Sequence, residues 1–200
     1  MTLRERHRSH AHLTANVGIA YVMPPSYRLP FTCAELPAIA ARYNYEAEDT
    51  LVDVLPSVQA RGHLTREEFL RVGEWKTRRK RRAREKNTTE YIIAVTHAAF
   101  ASSSERFRIE AFTLLDGVAW PTASVILHFA KDATYPILDV RALWSLGCGN
   151  GPHVYDFPFW WSYVEFCRGT AEQCRVTVRK LDCALWQHSK ENQGPIYGDA

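Results

Sequence analysis

Two hydroxyl–carboxylate pairs three residues apart, Thr32-Cys33-Ala34-Glu35 and Thr65-Arg66-Glu67-Glu68, commit much of this chain to helix. In such a pair the threonine oxygen accepts from a first-turn amide while the glutamate reaches back to the threonine amide, so two orphan donors are satisfied together. Apolar residues at helical spacing follow each one: Leu36, Ile39, Ala40 and Tyr43 after the first, Phe69, Val72 and Trp75 after the second. Residues 50–59 read as another helix, ended by Arg61-Gly62, and Asn87-Thr88-Thr89-Glu90 opens one that runs through Ile92, Val95 and Phe100. Ser102-Ser103-Ser104 breaks it, and helix resumes over residues 105–115, 122–130 and 138–146. After the break Gly147-Cys148-Gly149-Asn150-Gly151-Pro152, Asp156-Phe157-Pro158 starts a helix with proline in its first turn, where the missing N–H costs nothing. Residues 177–191 close the series, with Leu181, Leu185 and Trp186 on one face. No alternating strand pattern and no internal repeat interrupts it. The expected fold class is all-α, a helical bundle.

Two hundred residues, 46% of them hydrophobic and six of them Trp, are enough for one sizeable core. Residues 31–200 are therefore read as one helical domain. Residues 1–30, basic and His-bearing and then Pro-interrupted, are read as a flexible N-terminal extension. His7, His10 and His12 lack Cys or carboxylate partners at ligand spacing, so no metal is expected there. No apolar run approaches the roughly 20 residues of a membrane helix, and the charged start has no signal-peptide core. Five irregularly spaced Cys read as reduced thiols, and the expected location is the cytoplasm.

A net charge of +3 hides an uneven distribution, because residues 76–86 carry eight Lys or Arg and the remainder of the chain is net acidic. Lys76, Arg78, Arg79, Lys80, Arg81 and Arg82 repel one another unless a polyanion is near, which points to nucleic acid. A solvated helix end or linker explains the same run equally well.

Leu115-Asp116-Gly117-Val118-Ala119-Trp120-Pro121-Thr122-Ala123 is a small-residue turn opening straight into an apolar helix. Gly117 permits a tight turn, Val118 fills the gap between two helices, and Ala123 lets them approach. Amides near residues 117–122 would then face one phosphate. An ordinary packing corner between helices needs the same small residues. Leu115, Gly117, Val118, Thr122, Ala123 and Leu127 nevertheless match, in place, the hairpin of the helix-hairpin-helix DNA glycosylase superfamily related to endonuclease III, and the segment resembles it over residues 105–130. Asp139 strengthens the resemblance: it lies eighteen positions beyond Pro121, the interval at which that family's aspartate follows its lysine slot, within Tyr135-Pro136-Ile137-Leu138-Asp139.

The resemblance covers about residues 88–146 and implies a glycosylase-like helical core binding duplex DNA. Gly117, Val118, Ala119, Trp120 and Thr122 would contact the backbone, assisted by the basic run. Asp139 would be the catalytic carboxylate of a monofunctional glycosylase, stabilising an oxocarbenium-like sugar as a damaged or mismatched base leaves. As a plain structural element Asp139 would cap the helix after it. Three residues depart from the family. Ala119 replaces a second glycine, Asp116 replaces proline, and Pro121 replaces the lysine whose amine would form a Schiff base, so strand cleavage by that route is not expected. A non-catalytic helix-hairpin-helix DNA-binding protein is the alternative.

Cys167, Cys174 and Cys183 fall on the first, second and fourth positions of the family's four-Cys cluster spacing, with Thr177 on the third, and are read as packed helix cysteines. Trp120, in the turn, is a candidate wedge against DNA, and Trp144 a weaker pocket residue. Neither His97, His128 nor Cys148 has a sequence partner that would make it catalytic. No phosphate-binding loop or dinucleotide fingerprint is present, and no cofactor is expected.

Overall fold

In the computed structural model, residues 25–44, 51, 53–150 and 153–194 are described, and among them every regular element is helical. The helices are α1 (Leu36–Ala40), α2 (Val54–Arg61), α3 (Arg66–Lys76), α4 (Arg81–Arg84), α5 (Thr89–Ala101), α6 (Glu105–Ala111), α7 (Trp120–Ala130), α8 (Val140–Ser145), α9 (Phe157–Gln173) and α10 (Val178–Asn192), with a 3-10 turn at Phe112–Leu114.

The polar punctuation sets their starts. Thr65 accepts from the Glu68 amide at 3.2 Å and Glu68 Oε2 accepts from the Thr65 amide at 2.8 Å, a complete capping box. Thr88, Ser104, Asp139, Asp156 and Thr177 each accept from an amide in the first turn of the helix that follows. Each such cap is worth about 1 kcal/mol. The Thr32–Glu35 box also forms, through Thr32 N–H to Glu35 Oε2 at 2.8 Å, but α1 runs only five residues beyond it, and Tyr43 lies past its end.

α7 is the hub. Every residue from Thr122 to His128 is buried, as befits a helix apolar on all sides. It packs against α2, α3 and α6, while α10 packs against α1, α8 and α9. One connected cluster of buried apolar side chains runs from Leu36 through Phe69, Phe112 and Ile126 to Trp160 and Leu185.

Two expectations change. The last part of the presumed flexible extension is docked: Tyr27 donates to Phe159 O at 3.4 Å, and Arg28 N–H reaches Leu146 O at 3.1 Å. Residues 1–24, with His7, His10 and His12, lie outside the described residues. The cysteines are not all reduced. Cys33 and Cys174 form a disulfide with Cα atoms 4.9 Å apart, tying the start of α1 to the end of α9 across 141 positions. Cys148, Cys167 and Cys183 lie outside the disulfide, Cys167 buried among helices. No helix among the described residues is long and apolar enough to cross a membrane.

Candidate functional site

Asp139 stands at the start of α8 and uses its two oxygens differently. Oδ1 accepts from the Arg141 amide at 2.9 Å, capping the helix, while Oδ2 receives the Lys76 ammonium in a direct ion pair. Lys76 is the last residue of α3, and both side chains keep a minor fraction of their surface open, 13% and 23% respectively. Burial by itself would raise the Asp139 carboxyl, but the Lys76 charge and hydrogen bond, with the Arg141 amide, hold it below the usual carboxylate value. It is therefore anionic at neutral pH.

The pair lines a half-open pocket of about 100 Å³ with Tyr43, Trp75, Arg179, Asp182 and Trp186. That is smaller than the ~150 Å³ cavity that admits one benzene ring. Arg179 stacks over Tyr43 at 5.1 Å and over Trp75 at 5.8 Å from the ring centres, and Tyr43 meets Trp186 edge-on at 5.2 Å. Asp182 is buried. It accepts from the Ile137 amide at 3.2 Å and lies 3.4 Å from an Arg179 nitrogen. Burial pushes its carboxyl up to about 7, against the pull of Arg179 and Ile137 N–H. Two carboxyl groups in one pocket are thus driven apart, one kept ionised and the other able to hold a proton near neutrality, the pattern that separates acid and base roles.

The segment expected to form a hairpin runs as a turn from the 3-10 turn at Phe112–Leu114 to the start of α7. Gly117 has φ +77°, a left-handed conformation that glycine adopts without a Cβ penalty. Val118 and Ala123 are buried, and Val118 N–H closes on Leu115 O at 3.1 Å. Ala119 is the N-cap of α7 and offers no side-chain acceptor, so the first-turn amides are left to other partners. Asp116 does not cap this helix. Its backbone is instead clamped by Asn87, whose amide donates to Asp116 O at 3.0 Å and accepts from Asp116 N–H at 2.9 Å. Thr122 is buried, and Trp120 is half-buried, 6.3 Å from Trp160.

Of the basic run, Arg78, Arg79, Lys80 and Arg82 are exposed. Arg81 is exposed too but paired with Glu74 and Glu85. Lys76 faces Asp139 in the pocket rather than standing on the open surface with the others. Arg84, missed in the sequence, is fully buried: Nη2 donates to Thr77 O at 2.6 Å, while Nε and Nη1 have no acceptor. Its side chain crosses Gly73, and its backbone lies against Gly117. One residue therefore joins the turn before α7 to the end of α3 that carries Lys76.

Tyr43, Arg179, Asp182 and Trp186 were also missed as site residues, since only the packing of α10 against α1 and α8, with Arg179 reaching Trp75 on α3, brings them together. Trp144 does not line the pocket; it packs 5.9 Å from His188. His128 is buried and donates from Nδ1 to Tyr135 O at 2.8 Å, and His97 is exposed. No family model, curated protein or solved structure matches the chain.

Proposed function

We propose that this protein binds duplex DNA and hydrolyses the N-glycosidic bond of a damaged or mismatched base received in the Asp139 pocket. The observation that carries the reading is the pocket itself: a carboxylate held ionised shares a small half-open space with three aromatic side chains and a second, protonatable carboxyl group. Excision needs the base out of the stack, at a cost of a few kcal/mol, and aromatic faces repay part of it. Trp75, Trp186 and Tyr43 supply such faces. As the bond to the base lengthens, positive charge develops on the sugar, and a fixed anion at Asp139 stabilises that charge more than the ground state. Asp182 is suited to hand a proton to the departing base or to hydrogen-bond its edge.

The DNA backbone would be held by the open first turn of α7 and by Arg78, Arg79, Lys80 and Arg82, with the buried charge of Arg84 adding positive potential beside the turn. Such contacts position the duplex without reading sequence. A non-catalytic DNA-binding role is favoured by one observation, that Asp139 is already occupied in capping α8 and pairing with Lys76. The experiment uses duplexes that each carry one alkylated, deaminated or oxidised base, with Asp139→Asn as control. Abasic sites formed by the wild type and not by the variant support excision. Tight binding by both, with no abasic sites from either, supports the binding role alone.

A further inference from the structure

At about 100 Å³ the pocket beside Asp139 falls short of the ~150 Å³ that takes one aromatic ring. Its wall is made partly by Tyr43, ten positions after Cys33, and by Arg179, five positions after Cys174. These two side chains meet: Arg179 Nη2 donates to Tyr43 Oη at 3.0 Å, while Arg179 Nη1 lies 3.4 Å from Asp182 and Tyr43 meets Trp186 edge-on. The Cys33–Cys174 disulfide therefore ties together, just upstream of the pocket, the two segments that touch across it. Apart from its packing on α10, little else holds α1. It has five residues, against the roughly 12 at which an isolated helix becomes even marginal, and Leu36 is its only fully buried side chain. Arg42 pairs with Glu191 at 2.7 Å, but the arginine is exposed and such a pair contributes little. Cys33 and Cys174 are both half-buried, so a thiol reductant can reach the bond.

We propose that the Cys33–Cys174 disulfide is a redox latch on the pocket. While it is intact, Tyr43 is kept against Arg179 and Trp186 and the space stays too small for a ring. Reduction by a dithiol lets residues 33–44 move away and opens the space to one. The exchange balances without a further reagent. A thiolate of the dithiol attacks one cysteine sulfur, the S–S bond breaks as a mixed disulfide forms, and the other cysteine leaves as a thiolate that takes a proton. The second thiol of the reductant, as its thiolate, then displaces the first cysteine, which is protonated in turn. The dithiol is oxidised to its own disulfide, and the cysteine pair gains two electrons. Freed of the bond, Tyr43 keeps only noncovalent partners, and a ligand that needs the wider space draws the chain towards the open state by its preference for it. That the entering ring is a base rests on the excision reading, whereas the latch rests on the disulfide and the wall alone.

The test compares the full chain in three forms: oxidised, reduced with dithiothreitol, and as the double variant Cys33→Ser, Cys174→Ser without reductant. Thiol counts verify the redox state, and thermal melts verify the fold. Hydrogen exchange is read by peptide mass spectrometry at short labelling times. It should be faster by about tenfold or more over residues 36–43 in the reduced and variant forms, while α7 stays protected in all three. Adenine, as the free base, should bind those two forms more tightly than the oxidised chain, by about tenfold or more in calorimetry. Exchange over residues 36–43 that does not respond to reduction overturns the inference. So does loss of protection in α7 alongside it, which marks the bond as a staple for the whole fold. Adenine bound equally or more tightly by the oxidised chain overturns it as well. Faster local exchange with adenine bound by no form leaves the latch standing and removes the pocket as a base site, so that the excision reading fails alone.

Discussion

Gly117 rests against Arg84: a Cβ at the glycine would lie 2.8 Å from Arg84 Cγ and 2.9 Å from the Arg84 amide nitrogen. The turn opening α7 and the basic segment are therefore one structural unit, although more than thirty residues separate them in the chain. Asn87 fastens the same unit from the other side through Asp116. Gly117→Ala is expected to meet both a left-handed backbone and a backbone collision, at a combined cost of about 3 kcal/mol. Denaturant melts measure it, and duplex affinity should fall in the same variant because the turn and the basic segment move together.

Neutralising Arg78, Arg79 and Arg82 together should flatten the dependence of duplex affinity on salt, reducing the log–log slope by about 2 to 3 if each meets a phosphate. These side chains are exposed, so the thermal midpoint should hardly change. Lys76→Ala should leave that slope close to the wild-type value, since its ammonium is committed to Asp139. Titrations at several salt concentrations check both, and a large slope change from Lys76→Ala would place it on the phosphate backbone instead.

Asp182 gives the fold a pH signature. With its carboxyl pushed up to about 7 from an ordinary 3.8, the folded chain holds a proton in that interval that the unfolded chain has lost. Stability from this group is therefore largest near the lower bound and declines as pH rises, by at most about 1.4 kcal/mol per pH unit. Asp182→Asn should remove that decline while still accepting from Ile137 N–H. Asp139 acts in the opposite sense, its contribution being lost as pH falls below the ordinary carboxylate value. Urea melts of wild type and Asp182→Asn between pH 4 and 8 should converge or diverge accordingly.

The disulfide predicts a thiol count. Unfolded without reductant, the chain should expose three reactive thiols, from Cys148, Cys167 and Cys183, and five after reduction. Cys33→Ser should lower stability by about 2–4 kcal/mol. Because α1 packs on α10 and leads into Tyr43, loosening it should also weaken the pocket wall.

Helix starts were legible in the sequence because caps are local: Thr65, Thr88, Ser104, Asp139, Asp156 and Thr177 act within three residues of themselves. Asp139 and Gly117 stood out for the same reason, being set in short patterns. The rest of the pocket was not legible, since Tyr43, Lys76, Asp139 and Asp182 come from four separate parts of the chain and only packing makes them neighbours. Lys76 was hidden for a further reason: it begins a run of like charges, and nothing in the spacing marks it, or the buried Arg84, as a member that turns inward. Cys33 and Cys174 likewise meet only in three dimensions, and their separation along the chain gave no sign of a bond, so all five Cys read as reduced thiols.

The most direct test exposes the protein to genomic DNA that has been separately alkylated, deaminated and oxidised, and identifies every free base released by mass spectrometry. The wild type should liberate at least one class of altered base, and Asp139→Asn, which preserves the helix cap, should liberate none. Release at equal rates by both proteins, or by neither under conditions where the DNA is bound, would contradict it.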